Sequence, residues 1–450
     1  MNAAAKVIAM VTDDFDAQTR STTTPDIGAD EFTPPALDAG IASIDNPSGT
    51  YCAGKKNVLV TLTNYGTNTL TSCTINWSVN GTTQTAYNWT GTIASGSSLQ
   101  VNIGTYNFAT SSSYDIKSWT SVPNGSSDGN TINDTLLKTN IAEGMTGTYT
   151  IGGVAPNYTT FASAILDLTN RGVCGPVVFN VRNGSYTERL ALGNITGASA
   201  TNTITFQSQS GDSSKVSINL PTSTLSTDNG IIYLNGARWI TIKKMTIERT
   251  GSNANTYGYL VELNNGAHNN TITNCRLKGL PMANVALQYY GIYSVSSVAS
   301  VDTGNVFTNN LFKYGNSAIY LNGGASTTNL EGGNVFRGNV IDSIYCTYAC
   351  FFQFEDRLIF DQNTITNFGN TSTGYGVYMA SDNRMRVTRN YVSAPLGITY
   401  GMYFASCNLS QGYGKIMLLA NNMITVGSAG NIASTACLYM SGNDQVDVRS

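Results

Sequence analysis

The residues with the clearest capacity for chemistry are Glu355-Asp356-Arg357 and, one repeat later, Asp382-Asn383-Arg384. Counted from Phe352 and Tyr378, Asp356 and Asp382 each fall four positions on, so the two are expected to be near neighbours on adjacent coils. Two carboxylates beside two guanidinium groups can bind calcium or an acidic sugar. The same groups can equally form an ion-pair ladder on a solvated bend, which adds little stability. His268, the single histidine, lies in Asn265-Gly266-Ala267-His268-Asn269-Asn270 with no nucleophile or acid beside it, and reads as a surface residue of a bend. Asp128-Gly129-Asn130 with Asp134 has part of a calcium loop but not the rest of an EF-hand pattern, so it reads as turn chemistry. The expectation is therefore no catalytic residue, no metal and no cofactor, with calcium at the Glu355–Arg384 cluster left open.

The eight cysteines lack paired CxxC spacing and have one histidine for company, which argues against zinc. Cys52 and Cys73 flank a strand-like run in one small domain and are expected to form a disulfide. Cys174, Cys275, Cys346, Cys350, Cys407 and Cys437 stay open between buried thiols and further bridges.

Two repeating columns would position the acidic cluster. One is a small residue, an apolar one and an aromatic: Gly291-Ile292-Tyr293, Ala318-Ile319-Tyr320, Cys350-Phe351-Phe352, Gly376-Val377-Tyr378, Gly401-Met402-Tyr403 and Cys437-Leu438-Tyr439. Its mean spacing is roughly 29 residues, the circumference of a three-sided parallel coil with insertions. These tyrosines are expected to stack internally. The other column carries Asn310, Asn339, Asn363, Asn390 and Asn422, each three residues after an apolar residue and two before another. Two earlier coils keep the apolar positions but put Met245 and Cys275 in place of Asn. Stacked ~4.8 Å apart, the amides can hydrogen-bond along a ladder, which lets them be buried. By contrast Asn370, in a polar loop, is expected to be exposed.

Before the repeats, residues 36–143 alternate as short strands, among them 58–63, 73–79 and 99–103, with a hairpin signal at Asn80-Gly81. They fit a β-sandwich with Trp77 and Trp89 between its sheets. One amphipathic helix is expected over 159–170, with Thr159 or Thr160 as N-cap and Phe161, Ile165 and Leu168 on its apolar face, placed to cover the open end of a solenoid. The fold class is all-β: a right-handed parallel β-helix over 144–450 with an N-terminal capping helix, preceded by an immunoglobulin-like sandwich.

Charged residues make up only 11% of the chain and the net charge is -3, so the footprint of a nucleic-acid binder is absent. No apolar run reaches the ~18 residues of a membrane span. A composition rich in Asn, Thr, Ser and Gly suits strands and turns of an extracellular protein.

The Asn and aromatic columns, the helix and Gly175-Pro176-Val177-Val178-Phe179-Asn180-Val181 resemble the right-handed parallel β-helix repeat proteins exported by the type IX secretion route. Residues 63–68 and the Trp-bearing strand ending at Asn80-Gly81 resemble the CARDB type of immunoglobulin-like module, associated with cell adhesion. Residues 1–35, with the run Pro25-Asp26-Ile27-Gly28-Ala29-Asp30-Glu31-Phe32, resemble the closing piece of a preceding β-helix, and residues 445–450 stop within a strand pattern, as in a fragment of a longer polypeptide. The resemblance implies a bacterial cell-surface location, contact with outer-membrane export and anchoring machinery, and O-glycosylation at Thr135 and Ser343 in Asp134-Thr135-Leu136 and Asp342-Ser343-Ile344. The expected function is non-catalytic: an adhesin or spacer in a large tandem-domain surface or filament protein. The alternative is a β-helix that binds or cleaves polysaccharide.

Overall fold

The computed structural model describes the chain apart from residues 1–4, 9, 26, 28–33, 111, 228, 253–254, 282–285, 298, 325–329, 370–373, 395–399, 409–415, 428–435 and 450. Most of the run from Pro25 to Phe32, and Asn370, lie outside the described residues. The chain divides into two compact units, Met1–Gly144 and Met145–Ser450.

In the first unit two sheets form a sandwich. One holds Ala39–Asn46, Gly54–Asn64 and Ser98–Phe108; the other is built on Leu70–Val79, Ser113–Ser121 and Thr135–Glu143. Alternation along these strands sends Val58, Val60, Leu62, Ile75, Trp77, Ile116 and Trp89 into one core. Trp77 buries its ring and donates its Nε1–H to Thr85 O at 2.9 Å.

The expected Cys52–Cys73 bridge does not form. Cys52 is disulfide-bonded, but Cys73 is a free thiol. The reason is the strand alternation: Cys73 points into the sandwich core, where its Sγ lies 3.6 Å from Thr74 O and 3.7 Å from Ser121 O. Burial pushes its thiol up to about 11, so it is inert. Cys275, Cys346, Cys350 and Cys407 are buried thiols outside any disulfide, and Cys437 is an exposed one.

The second unit is a right-handed parallel β-helix. Its first sheet stacks eleven strands from Met145–Ile151 to Val446–Arg449; the second runs from Gly184–Tyr186 to Met423–Val426 and the third from Leu190–Leu192 to Ala436–Ser441, with nine strands each. Inward columns such as Phe307, Phe336 and Phe360 on the first sheet, and Phe312, Ile341 and Ile365 on the second, fill the interior. The helix Phe161–Arg171 starts at a capping box on Thr160 and Ser163, and buries Phe161, Ala164 and Leu168 in the same core.

Between the first and second sheets the coil bends at the asparagine column. The residue before each column position is left-handed, with φ of 55° at Asn309, 66° at Gly338, 57° at Gln362, 57° at Arg389 and 54° at Asn421. Each amide then reaches its equivalent one coil on: Nδ2 of Asn310, Asn339, Asn363 and Asn390 donates to the next Oδ1 at 3.2, 3.0, 3.0 and 2.9 Å. The same Oδ1 accepts the preceding backbone N–H, and the second amide hydrogen goes to a strand carbonyl such as Phe336 O. Every donor and acceptor of a buried amide is thus used.

Candidate functional site

The acidic cluster lies at the bend from the third sheet back to the first. Arg357 and Arg384 hold equivalent left-handed positions there, with φ of 56° and 52°. Asp356 is gripped by both: Arg384 Nε donates to its Oδ1 at 2.6 Å, Arg384 also pairs with its Oδ2, and Arg357 Nε lies 3.1 Å from Oδ2. Asp356 is therefore spent on two guanidinium groups.

Asp382 lies on the adjacent coil one position off the residue paired with Asp356, and faces the other way. The third-sheet register aligns Phe351 with Tyr378 and Phe352 with Met379, so the count from Phe352 was one residue off. Asp356 bridges to Asn383, while Asp382 accepts the backbone N–H of Glu355 at 2.7 Å. Because side chains alternate across a strand, the one-residue slip moves Glu355 and Asp382 to the inside. Both are 0% exposed, and a sugar in solvent has no path to them. Among the described residues no group of three His, Cys, Asp or Glu side chains is placed to hold a metal ion.

Two acids that sequence reading missed extend the same column. Asp302 and Glu331, on the two preceding coils, are 1% and 0% exposed. Asp302 accepts Ala267 N–H at 2.6 Å and its own N–H points to Glu331 Oε1 at 3.3 Å. A signal existed: Asp302, Glu331, Glu355 and Asp382 each stand three residues before a bend position, at Asn305, Asn334, Leu358 and Met385. Asn305 and Asn334 continue a second, shorter asparagine column that starts at Asn270. Burial, with the Glu331 charge beside it, pushes Asp302 up to about 7. Burial and the neighbouring acids also push Glu355 and Asp382 well above the carboxylate range.

The aromatic column stacks, but on the outer face of the third sheet rather than inside. In the third coil of the column the aromatic is Phe351 and not Phe352, which points inward. Ring centroids run 4.6 Å from Tyr320 to Phe351, 5.4 Å to Tyr378, 5.1 Å to Tyr403 and 4.9 Å to Tyr439, within 13° of parallel. Each interior ring covers its neighbours' faces, leaving edges and hydroxyls to solvent.

The remaining sites are separate from these. His268 is half-buried, with Nδ1 2.7 Å from Gly266 O. Asp128 caps Ala39 N–H at 3.0 Å and Asn130 N–H at 2.9 Å, and burial together with Asp128 and Asp38 pushes Asp134 up to about 6. Thr135 is exposed, while Ser343 is half-buried in the strand Val340–Ile344. On the outer face of the second sheet a groove of about 440 Å³ is lined by Ser217, Thr246, Arg276, Lys278 and Lys313. Lys278 pairs with Glu248 at 3.2 Å and Lys313 with Asp342 at 3.6 Å.

Parallel sheets closed by paired asparagine bends define a right-handed parallel β-helix repeat protein. Residues 229–395 match the family model described as the right handed beta helix region. Among curated proteins none matches the sequence. Similar solved structures include the rice weevil pectin methyl esterase, 11% identical, covering 66% of this chain and 88% of that one with a TM-score of 0.35. Pectin methylesterase PemA from Erwinia chrysanthemi is 12% identical, with 67% and 90% covered and a TM-score of 0.35. The catalytic domain of a GH87 alpha-1,3-glucanase in complex with tetrasaccharides is 11% identical, with 92% and 96% covered and a TM-score of 0.32. Likenesses this distant do not bear on the chemistry of the chain.

Proposed function

We propose that the chain is a non-catalytic spacer of a secreted bacterial surface or filament protein, with the sandwich as a CARDB-like adhesion module. The carrying observation is that its repeated side chains are committed to the next coil. Asn amides pair with Asn amides, ring faces with ring faces, and Asp356 with Arg384. Such a solenoid gains stiffness along its axis and has little left over for turnover. In this reading the chain is exported to the bacterial cell surface by outer-membrane machinery of the type IX kind, and Thr135, the exposed acceptor, carries a glycan. Incubation with acidic and neutral polysaccharides tests it: no new reducing ends or unsaturated products are expected, and either product overturns the reading.

A second reading is favoured by the groove on the second sheet, where Arg276 and Lys278 on one coil and Lys313 on the next stand beside the hydroxyls of Ser217 and Thr246. This is the charge and hydrogen-bond pattern for an acidic polysaccharide laid along the axis. Titration with polygalacturonate, compared between the native chain and an R276Q/K278Q/K313Q variant, tests it. Equal affinities would refute this placement.

A further inference from the structure

Four consecutive coils bring Asp302, Glu331, Glu355 and Asp382 into one buried column, each at most 1% exposed. Among the described residues no Lys or Arg pairs with any of them; the nearby Arg357 and Arg384 are turned outward onto Asp356. The other groups around the column are Ser294, whose hydroxyl donates to Asp302 Oδ2 at 2.8 Å, Ser296, which donates to Glu331, and Asn334, whose Nδ2 donates to Glu355 Oε2 at 3.1 Å. Cys407, a buried thiol on the coil after Asp382, and His268, turned onto Gly266 O, complete the titratable neighbours. None of these is a lysine or arginine that could balance four carboxylates.

Three oxygens in the column are buried without a hydrogen-bond partner: Glu331 Oε2, Glu355 Oε1 and Asp382 Oδ2. A buried carboxylate oxygen left bare is costly, and four stacked charges more so. An un-ionised carboxyl removes the charge and turns an orphan acceptor into an O–H donor. The carboxyls of Glu331 and Glu355 already lie within hydrogen-bonding reach of each other, a contact two carboxylates cannot make without a proton between them.

We propose that this bend is a proton-held latch: at least two of the four carboxyls stay un-ionised in the folded protein and bond to one another, so that the solenoid is tightened by acid and loosened by base. Unfolding exposes ordinary carboxyls that ionise near pH 4. The stabilisation is therefore fully present below about pH 4, and it is lost as pH rises through the folded values. Asp302 is raised to about 7, and burial holds Glu355 and Asp382 well above the usual carboxylate range. Asp361, held low by bonds from Arg389 and Thr388, and Asp342, held low by bonds from Asn367 and Ser343, titrate below this window, while Asp134 in the first unit, raised to about 6, falls inside it and is told apart by its persistence in the column variants.

The test uses the full chain. Infrared spectra at pH 7 are expected to show the carbonyl band of un-ionised carboxyls, diminished in Glu355→Gln and Asp382→Asn. Denaturant melts are expected to show the unfolding constant rising on the order of a hundredfold between pH 5 and pH 7 from Asp302 alone. Asp302→Asn should flatten that rise, and Glu355→Gln and Asp382→Asn should remove what their own carboxyls add to it, each keeping the native circular dichroism spectrum. Should one variant fail to fold, the others and the native infrared band still decide the matter. An absent band, melts indifferent to pH, or a stability at pH 8.5 that collapses with a chelator would overturn the proposal, the last by placing a metal cation where protons are inferred.

Discussion

Asn363 Nδ2 lies 3.0 Å from Asn390 Oδ1, and that oxygen also accepts the Asn363 backbone N–H at 2.9 Å. One side-chain oxygen therefore closes both the bend and the ladder. Replacing Asn363 with Leu removes the acceptor that Asn339 Nδ2 and N–H use at 3.0 Å, and strands the Phe336 carbonyl. The expected loss is about 2 kcal/mol or more. Arg276→Gln, on the exposed outer face of the second sheet, should change stability by less than about 0.5 kcal/mol. Urea melts of both variants give the comparison, and equal mildness would deny the amide ladder its structural weight.

Much of the solenoid can be read from the chain because a coil repeats its polar exceptions as well as its apolar positions. An Asn bracketed by apolar residues at fixed offsets, as at Phe336, Asn339 and Ile341, needs a bend there whatever the loop lengths. Register within a coil is harder. Cys350-Phe351-Phe352 offers two aromatics for one outward slot, and only strand pairing shows that Phe351 takes it. That ambiguity of one position is what hid the Glu355–Asp382 relationship. Asp302 and Glu331 escaped because a lone acid three residues before a bend has meaning only once its equivalents on other coils are aligned. Cys52 and Cys73 are close in sequence, yet strand alternation turns Cys73 into the core, and spacing alone carries no information about facing.

Thiol accessibility follows from the same facing. Iodoacetamide on the native, unreduced protein at pH 8 is expected to label Cys437 and to spare Cys73, Cys275, Cys346, Cys350 and Cys407. Burial pushes Cys73 up to about 11 and Cys275 and Cys346 up to about 12, so both access and thiolate fraction oppose reaction. Labelling in guanidinium without reductant should add all five. Peptide mass spectrometry reads the result, and an unlabelled Cys73 after unfolding would mean that it is bridged.

Asp361 shows the opposite pH behaviour to the buried column. It faces outward on the first sheet, under Arg337 at 3.0 Å and Arg389 at 2.6 and 2.9 Å, with Thr388 Oγ1 donating at 2.7 Å. Burial alone would raise its pKa, but the bonds from Arg389 and Thr388 and the charges of both arginines hold it below the usual value. A depressed folded value contributes stability above about pH 4, and this is lost as pH falls through the folded value. Asp361→Asn should therefore cost about 1–2 kcal/mol at pH 7, limited because both arginines are half exposed, and almost nothing at pH 2. Melts at the two pH values check it.

The aromatic column yields the last expectation. Tyr378 sits between Phe351 at 5.4 Å and Tyr403 at 5.1 Å, nearly parallel to both, so its ring covers one face of each. Tyr439 covers Tyr403 from one side and is 39% exposed. Removing the interior ring uncovers two faces and leaves a gap in the outer stack, whereas removing the terminal ring uncovers one that already meets solvent. Tyr378→Ala is expected to cost about 2 kcal/mol, Tyr439→Ala less than about 1, and Tyr378→Phe little, since the stack uses the ring and not the hydroxyl. The ordering matters more than the sizes: if Tyr378→Phe proves as costly as Tyr378→Ala, the hydroxyl edge and not the ring face holds the column together. That result would also return the row of phenols to consideration as a hydrogen-bonding surface for sugars.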